Sequence, residues 1–423
     1  MHAQARVRWF PRRVPAVDAA ATLPRFSPAD FDPLLKTRLL ILQPTPFCNI
    51  DCDYCYLPAR HDTARMSVAT VRLAAQRLRD AGLVGERLGI VWHAGEPTVI
   101  PPAWYDEAIA ALNEVLGAQC ELSQSIQTNA TLIDDAWCEL ILRHRISVGV
   151  SVDGPAELHD AHRRTRTGHG THARVLRGMA MLRAHRIEFH AISVVTPATF
   201  AQADAFFDFF DEQGVSEVGC NFDEAEGLHA RSSLAGHEAA HAAFITRLIE
   251  RSREAGQRAS DTSAGGGMVV RELAQAMQLI AAPLPTYEWQ GRRWPENAQT
   301  MPFALVNVAH NGDFSTFSPE LLGQPSAEFG NFVFGNVARD DLLDASESEA
   351  FERVWGAIVR GTSACEASCA HYGFCGGGAP ANKLYENGDL ASTETLYCRT
   401  MIKRPFDAVL AHLERHQHIA GDA

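Results

Sequence analysis

The chain has 423 residues, more than one average domain, and its 46% hydrophobic and 21% charged content is that of a folded globular protein of two or three domains. A formal charge of −13 argues against a nucleic-acid partner, and no apolar run approaches the length that spans a bilayer, so neither nucleic acid nor a membrane is expected as a partner. Ten cysteines at short gaps follow an arginine-rich start (Arg6, Arg8, Arg12, Arg13) that lacks the apolar core of a secretory signal; together they predict metal ligation in the cytoplasm rather than disulfides.

Residues 1–37 form a proline-rich leading arm, too short for a peptide-recognition domain and placed to cover one end of the neighbouring domain; a transit peptide is the alternative reading. From 38 to 222 short apolar runs alternate with helical stretches. Strands are predicted over 38–43, 88–92, 122–127, 147–152, 189–195 and 216–222. Helices are predicted over 67–81, 102–117, 133–144, 172–185 and 199–212. Repeats of strand then helix predict an α/β fold with a parallel sheet, whose chemistry gathers on loops at the carboxyl ends of the strands.

The first such loop carries Cys48-Asn49-Ile50-Asp51-Cys52-Asp53-Tyr54-Cys55. A structural zinc site closes on four ligands. A cubane held by three thiolates leaves one iron open to a small molecule. The spacing, with Tyr54 before the last cysteine, resembles the radical S-adenosylmethionine (radical SAM) superfamily; a zinc loop completed by a distant ligand is the alternative. The resemblance implies a partial (β/α)6 barrel over residues 38–234. It also implies a [4Fe–4S] cluster on Cys48, Cys52 and Cys55, and SAM chelated to the open iron and cleaved to a 5′-deoxyadenosyl radical.

Further strand ends fit the same resemblance. Ala94-Gly95-Glu96-Pro97 resembles the family's Gly-Gly-Glu-Pro turn, which lies against the amino group of SAM; the alanine is expected to exclude a positive φ at 94. By resemblance, Gln127 and Asn129 line the SAM cavity, and Ser151 and Asp153 contact the polar parts of SAM. Arg163, in His159-Asp160-Ala161-His162-Arg163, approaches its carboxylate, where a planar guanidinium pairs bidentately. Ordinary strand capping is the alternative for each. Cys220 reads as core packing, and no chemistry is assigned to Cys120 or Cys138. Asp223, Glu224 and Glu226 face either substrate or solvent.

Residues 235–302 bridge to the rest of the chain. They hold an amphipathic helix over 235–257, Gly265-Gly266-Gly267, a helix near 269–281, and a loop with Trp289 and Trp294 that reads as a substrate lid or as surface packing. From 303 to 402 come Cys365, Cys369, Cys375 and Cys398, around Gly376-Gly377-Gly378-Ala379-Pro380. Four thiolates closing on one auxiliary [4Fe–4S] cluster is the natural reading, with a zinc knuckle as the alternative. The gaps resemble the SPASM domain, which in full form holds two clusters. The inner cluster's cysteines are missing, with none near Asn311–Glu320 and Ala379 at another position, so one auxiliary cluster is expected. A C-terminal helix occupies 403–423.

Longer phrases narrow the resemblance. Trp92-His93-Ala94-Gly95-Glu96-Pro97-Thr98, the stretch Ser315–Glu320, and Cys375–Gly388 resemble the cyclophane-forming radical SAM/SPASM peptide maturases associated with glycine-rich-repeat precursors, over about residues 38–402. This implies a ribosomally made precursor peptide as partner and abstraction of a Cβ hydrogen. It implies a carbon–carbon crosslink to an aromatic ring, with the auxiliary cluster taking an electron and a base taking a proton. Glu320, Asp313 and Glu224 are candidates for that base, and a flavodoxin or ferredoxin is the expected electron donor. A formylglycine-forming sulfatase-type maturase, a thioether-forming maturase, and a non-catalytic iron–sulfur or zinc peptide-binding protein are the other readings. The barrel mouth, the bridging segment and an exposed sheet edge stand open as the peptide's dock.

Overall fold

The computed structural model describes residues 25–262 and 267–420, with the side chains of 259–262 and 416–420 excepted. Most of the leading arm (1–24), together with Gly265 and Gly266, therefore lies outside the described residues. In chain order, β1 (Thr37–Leu42) and the short β2 (Ile50–Cys52) of the cysteine loop precede α1 (Val68–Asp80) and β3 (Val84–Trp92). Next come α2 (Pro102–Leu116), β4 (Glu121–Thr128), α3 (Asp135–His144), β5 (Ser147–Ser151), α4 (Ala156–His162), β6 (Arg163–Thr165), α5 (His172–Ala184) and β7 (Phe189–Val195). Then α6 (Pro197–Phe200), α7 (Ala203–Glu212) and β8 (Glu217–Phe222) complete the strand–helix alternation. The α/β class with a parallel sheet follows the sequence expectation. Side-chain caps fix several helix starts: Ser67 accepts from the Thr70 amide and Asp134 from the Trp137 amide.

The sheet is wider than the six expected strands. Beyond α8 (Glu238–Thr262) come β9 (Val269–Val270) and α9 (Arg271–Ala281), then β10 (Thr286–Trp289) and β11 (Arg292–Pro295), followed by β12 (Leu305–Val308), β13 (Asp313–Thr316) and β14 (Gly335–Asn336). The main sheet has the order β14-β13-β12-β1-β3-β4-β5-β7-β8-β9. β9 joins β8 in parallel, and β12 joins β1 in parallel with Leu39 opposite Leu305. β13 and β14 then continue antiparallel. The sheet thus runs without a break across residues 302 and 303. Its faces are covered by an apolar core in which Trp92, Tyr105 and Trp137 meet edge-on, as do Phe206 and Phe244.

The tryptophan segment is neither a lid nor surface packing. β10 and β11 form a hairpin closed by Gln290-Gly291, both at positive φ, the geometry that matches strand twist. Trp289 and Trp294 are 2% and 3% exposed, and Trp289 packs against Trp355 and Phe31. Two large rings on alternating positions of a short hairpin lose more by exposure than a lid would gain. The described end of the leading arm closes the same core, with Phe26 against Phe303 and Phe351.

The last part is helical: α10 (Leu342–Ala345), α11 (Glu349–Ser368), α12 (Tyr372–Cys375), α13 (Pro380–Asn387), a π-helical turn from Cys398 to Lys403, and α14 (Arg404–Ala420).

Candidate active site

The strands deliver their carboxyl ends to one cavity of about 570 Å3. Cys48, Cys52 and Cys55 form part of its wall, as expected from their place after β1. Two arginines that carry no signal in the cysteine motif itself fasten its loop: Arg166 donates to Cys48 O (Nε 3.0 Å, Nη2 2.6 Å), and Arg60 donates to Cys52 O (2.8 Å). Sequence reasoning missed both for that reason. Burial pushes the Cys48 and Cys52 thiols up to about 12, with the neighbouring Glu96 adding to the effect at Cys48. One buried and two half-buried thiols lining the cavity, with the Cys48 and Cys52 carbonyls already satisfied, suit a cubane that leaves one iron facing the open cavity. Among the described residues no three His, Cys, Asp or Glu side chains are grouped to hold a metal ion at one point; a cubane asks for a wider spacing, one thiolate per iron.

The turn after β3 corrects one expectation. Ala94 has φ 69°, so the alanine does adopt the left-handed backbone it was expected to exclude. The turn is forced because Gly95 lies against the chain leaving β1: a Cβ there would be 2.4 Å from Thr45 O and 2.5 Å from Phe47 O. The Glu96 amide donates to Phe47 O at 2.7 Å. Ala130 (φ 56°) after β4 and Phe317 (φ 74°) after β13 turn the chain in the same way. These tight turns bring Glu96, Asn129 and Glu320 to the cavity wall.

The polar residues divide into those that face the cavity and those that brace them. Gly95, Glu96, Gln127, Asn129, Ser151, Tyr54 and Arg163 line it. Glu96 is buried and saturated: it accepts from Thr98 N and Oγ1, Thr128 Oγ1 and the Asn129 amide, so it locks the ends of β3 and β4 together. Burial nevertheless raises its pKa. Gln127 donates to Ser151 Oγ at 2.8 Å, in space left by Gly149. Asn129 donates to Asn49 Oδ1 at 2.9 Å.

Pro97 and Asp153 stand behind the wall. Pro97 is buried and opens a 3-10 turn whose carbonyl accepts from Tyr105. Asp153 accepts from the Tyr54 hydroxyl (2.6 Å), from Arg163 Nε and Nη2 (2.9 and 3.0 Å) and from the Val194 amide. The Arg163 guanidinium, despite the cost of burial, holds the Asp153 carboxyl below its ordinary value. Bidentate pairing is therefore present at Arg163, but with a protein carboxylate. Its guanidinium also lies 5.4 Å from the centre of the Tyr54 ring.

Part of the cavity's lining is acidic. Glu224, Glu226 and Glu320 face the cavity with Tyr56 and Tyr397. Burial pushes Glu224 up to about 8, with Glu320 and Glu386 adding to the rise and the Asn382 amide (2.7 Å) opposing it. Glu226 and Glu320 are raised as well, chiefly by burial. Asp313 is a correction: it lies outside the cavity, at the start of β13, where its carboxylate accepts from Asn311 and Asn336 and tightens a turn. Asn382, Tyr397, His93 and α9, through Arg271, Glu272 and Gln275, belong to the wall and were missed. Nothing local marks α9, because tertiary packing alone puts it there.

Cys365, Cys369, Cys375 and Cys398 converge separately on a cavity of about 250 Å3. Cys365 comes from the last turn of α11, Cys369 from its cap, Cys375 from α12 and Cys398 from the π-helical turn. Gly376, Gly377 and Gly378 all have positive φ, and a Cβ would meet Asn297 at 376 and Thr362 at 377 at under 3 Å. Four buried or half-buried thiols around a pocket of that size suit an auxiliary cluster. Among the residues searched, no helix is long and apolar enough to cross a membrane.

A model of the radical SAM superfamily matches residues 42–210. An uncharacterised protein of Synechocystis sp. is 35% identical over 391 residues, 91% of this chain and 94% of that protein. The serine-type anaerobic sulfatase-maturating enzyme of Klebsiella aerogenes is 34% identical over 165 residues, 38% of this chain and 41% of that enzyme, so the match spans less than half of the enzyme's length. Among solved structures, anSMEcpe with bound AdoMet superposes with TM-score 0.70 at 18% identity, over 90% of this chain and 98% of that one. Streptococcus suis SuiB bound to the precursor peptide SuiA gives TM-score 0.56 at 16% identity, over 86% and 76%. At these identities the likeness is one of fold.

Proposed function

We propose that this chain, a radical SAM enzyme, matures a ribosomally made precursor peptide by joining a Cβ carbon to an aromatic ring. The observation that carries the reading is one cavity lined both by the three cysteines with the Gly95–Glu96 turn and by the Glu224, Glu226 and Glu320 carboxyls. Cys48, Cys52 and Cys55 would hold a [4Fe–4S] cluster, and Cys365, Cys369, Cys375 and Cys398 an auxiliary one. When bound, the first cluster and SAM supply the radical that takes a hydrogen atom from the substrate, and the second an electron sink.

The chain's own residues divide the remaining work. Gly95, Glu96, Gln127, Asn129 and Ser151 shape the SAM side of the cavity. Asp153 fixes Tyr54 and Arg163 behind and beside it. Glu224 or Glu320 takes the proton that leaves the ring when the crosslink rearomatises. A flavodoxin or ferredoxin is the proposed donor.

A second reading, oxidation of a serine or cysteine to formylglycine, is favoured by the similarity to an anaerobic sulfatase-maturating enzyme. Anaerobic protein with dithionite, SAM and a synthetic glycine-rich peptide bearing aromatic residues separates the two. The crosslinking reading expects 5′-deoxyadenosine and a peptide lighter by a pair of hydrogens that ignores carbonyl reagents. A carbonyl-reactive product from a cysteine or serine peptide favours the second reading instead. If no 5′-deoxyadenosine forms, both are wrong.

A further inference from the structure

Lys383 is 2% exposed, although a lysine rarely is. Its Nζ lies 3.4 Å from Cys365 Sγ. Among the described residues no carboxylate pairs with it. Room for it is left by glycines: a Cβ at Gly361 would lie 3.1 Å from Nζ, and a Cβ at Gly378 would lie 3.9 Å from Lys383 Cε. A buried ammonium without a counter-charge is costly, so its position calls for a negative group close by. Four cysteine thiolates around a cluster supply one. The preceding residue, Asn382, points elsewhere, to Glu224 on the cavity wall. Successive side chains of a helix diverge by about 100°, so α13 presents one residue to each site.

We infer that Lys383 is a fixed counter-charge of the auxiliary cluster, unlike Lys403 of the same pocket, whose ammonium pairs with Glu394, and that it sets the cluster's reduction potential, holding it up so that the cluster accepts an electron from the substrate side. The inference rests on the auxiliary-cluster reading given above. A cluster held by four thiolates is anionic and becomes more so on reduction, so a cation beside a ligand sulfur stabilises the reduced form more than the oxidised one. Thr395, which donates to Cys398 Sγ at 3.2 Å, adds a neutral contribution of the same sign.

The test is an EPR-monitored redox titration of the anaerobically reconstituted full chain. The auxiliary signal is the one that added SAM leaves unchanged and that survives replacement of Cys48, Cys52 and Cys55 by alanine. Lys383→Met and Lys383→Gln are expected to move its midpoint to a more negative potential. Lys383→Arg should keep it near wild type, and the SAM-site cluster should not move in any of the three. An unmoved auxiliary midpoint in the neutral variants, with full iron content, overturns the inference alone. A wild-type protein with no second signal overturns the auxiliary-cluster reading and the inference with it. Loss of the signal in both neutral variants with retention in Lys383→Arg supports the charge requirement; loss in all three makes Lys383 a packing residue and overturns it.

Discussion

At Ala94 the chain accepts a backbone that alanine disfavours, because the turn has no room to relax: Gly95 is wedged against Thr45 and Phe47. Left-handed backbone costs a non-glycine residue about 1–2 kcal/mol, and a glycine there would give part of that back as unfolded-state entropy. Ala94→Gly should therefore raise stability by roughly 0.5–1 kcal/mol, read as a higher denaturant midpoint with an unchanged slope. Gly95→Ala should do the opposite and also abolish 5′-deoxyadenosine formation, since the displaced turn carries Glu96. Glu224 sets a pH dependence. A carboxyl whose folded value is raised to about 8 holds its proton more tightly folded than unfolded, so its contribution to stability falls as pH climbs from the ordinary glutamate range to about 8 and then levels off. It is ionised, and able to accept a proton, only above that pH. Product formation should thus rise through about pH 8 while thermal stability declines towards it, and Glu224→Gln should flatten both profiles.

At the scale of elements, the β10–β11 hairpin and α11 share a core, so damage to either is felt at the second cysteine pocket. Gly361 on α11 has no space for a side chain, with a Cβ at 2.4 Å from Leu390 O. Gly361→Ala should push residues 390–391 and Lys383 away, lowering the iron held by the second pocket while the first keeps its own; iron content with and without the Cys48, Cys52 and Cys55 changes reads this. The same elements show what the sequence could express. The six strands of the set β1, β3, β4, β5, β7 and β8 were legible because each is a short apolar or alternating run between helical repeats. The residues at their carboxyl ends were assigned their roles by the resemblance, in order along those strand ends. β12 and β9 are only four and two residues long. Their partners lie far away in sequence, so no local period could reveal them. The hairpin hid behind its tryptophans, although Gln290-Gly291 between alternating aromatic positions was the available sign. Of the candidate bases, Asp313 lies at the start of β13 away from the cavity, while Glu320, past the end of that strand, reaches it.

The whole molecule places two thiol-lined pockets on one continuous sheet without sharing a ligand. The first hangs on the end of β1, and the second on helices that come after β12 to β14, strands that extend the same sheet from β1. Wall residues from both halves meet in the large cavity, where Ala379 and Asn382 stand with Cys48 and Gly95. Such an arrangement couples the pockets through the substrate space but leaves each to assemble alone. Anaerobically reconstituted protein should carry about eight irons, and about four after Cys48, Cys52 and Cys55 are changed to alanine. Changing Cys365, Cys369, Cys375 and Cys398 should also leave about four, yet with a different consequence. The first variant should lose 5′-deoxyadenosine formation altogether. The second should keep it, because everything that touches the SAM side of the cavity is intact, and lose the peptide product, because the electron released on rearomatisation has nowhere to go. A second variant that retained full product would show that electrons leave by another route. About twelve irons in the wild type would show that a further cluster is completed by ligands other than cysteine.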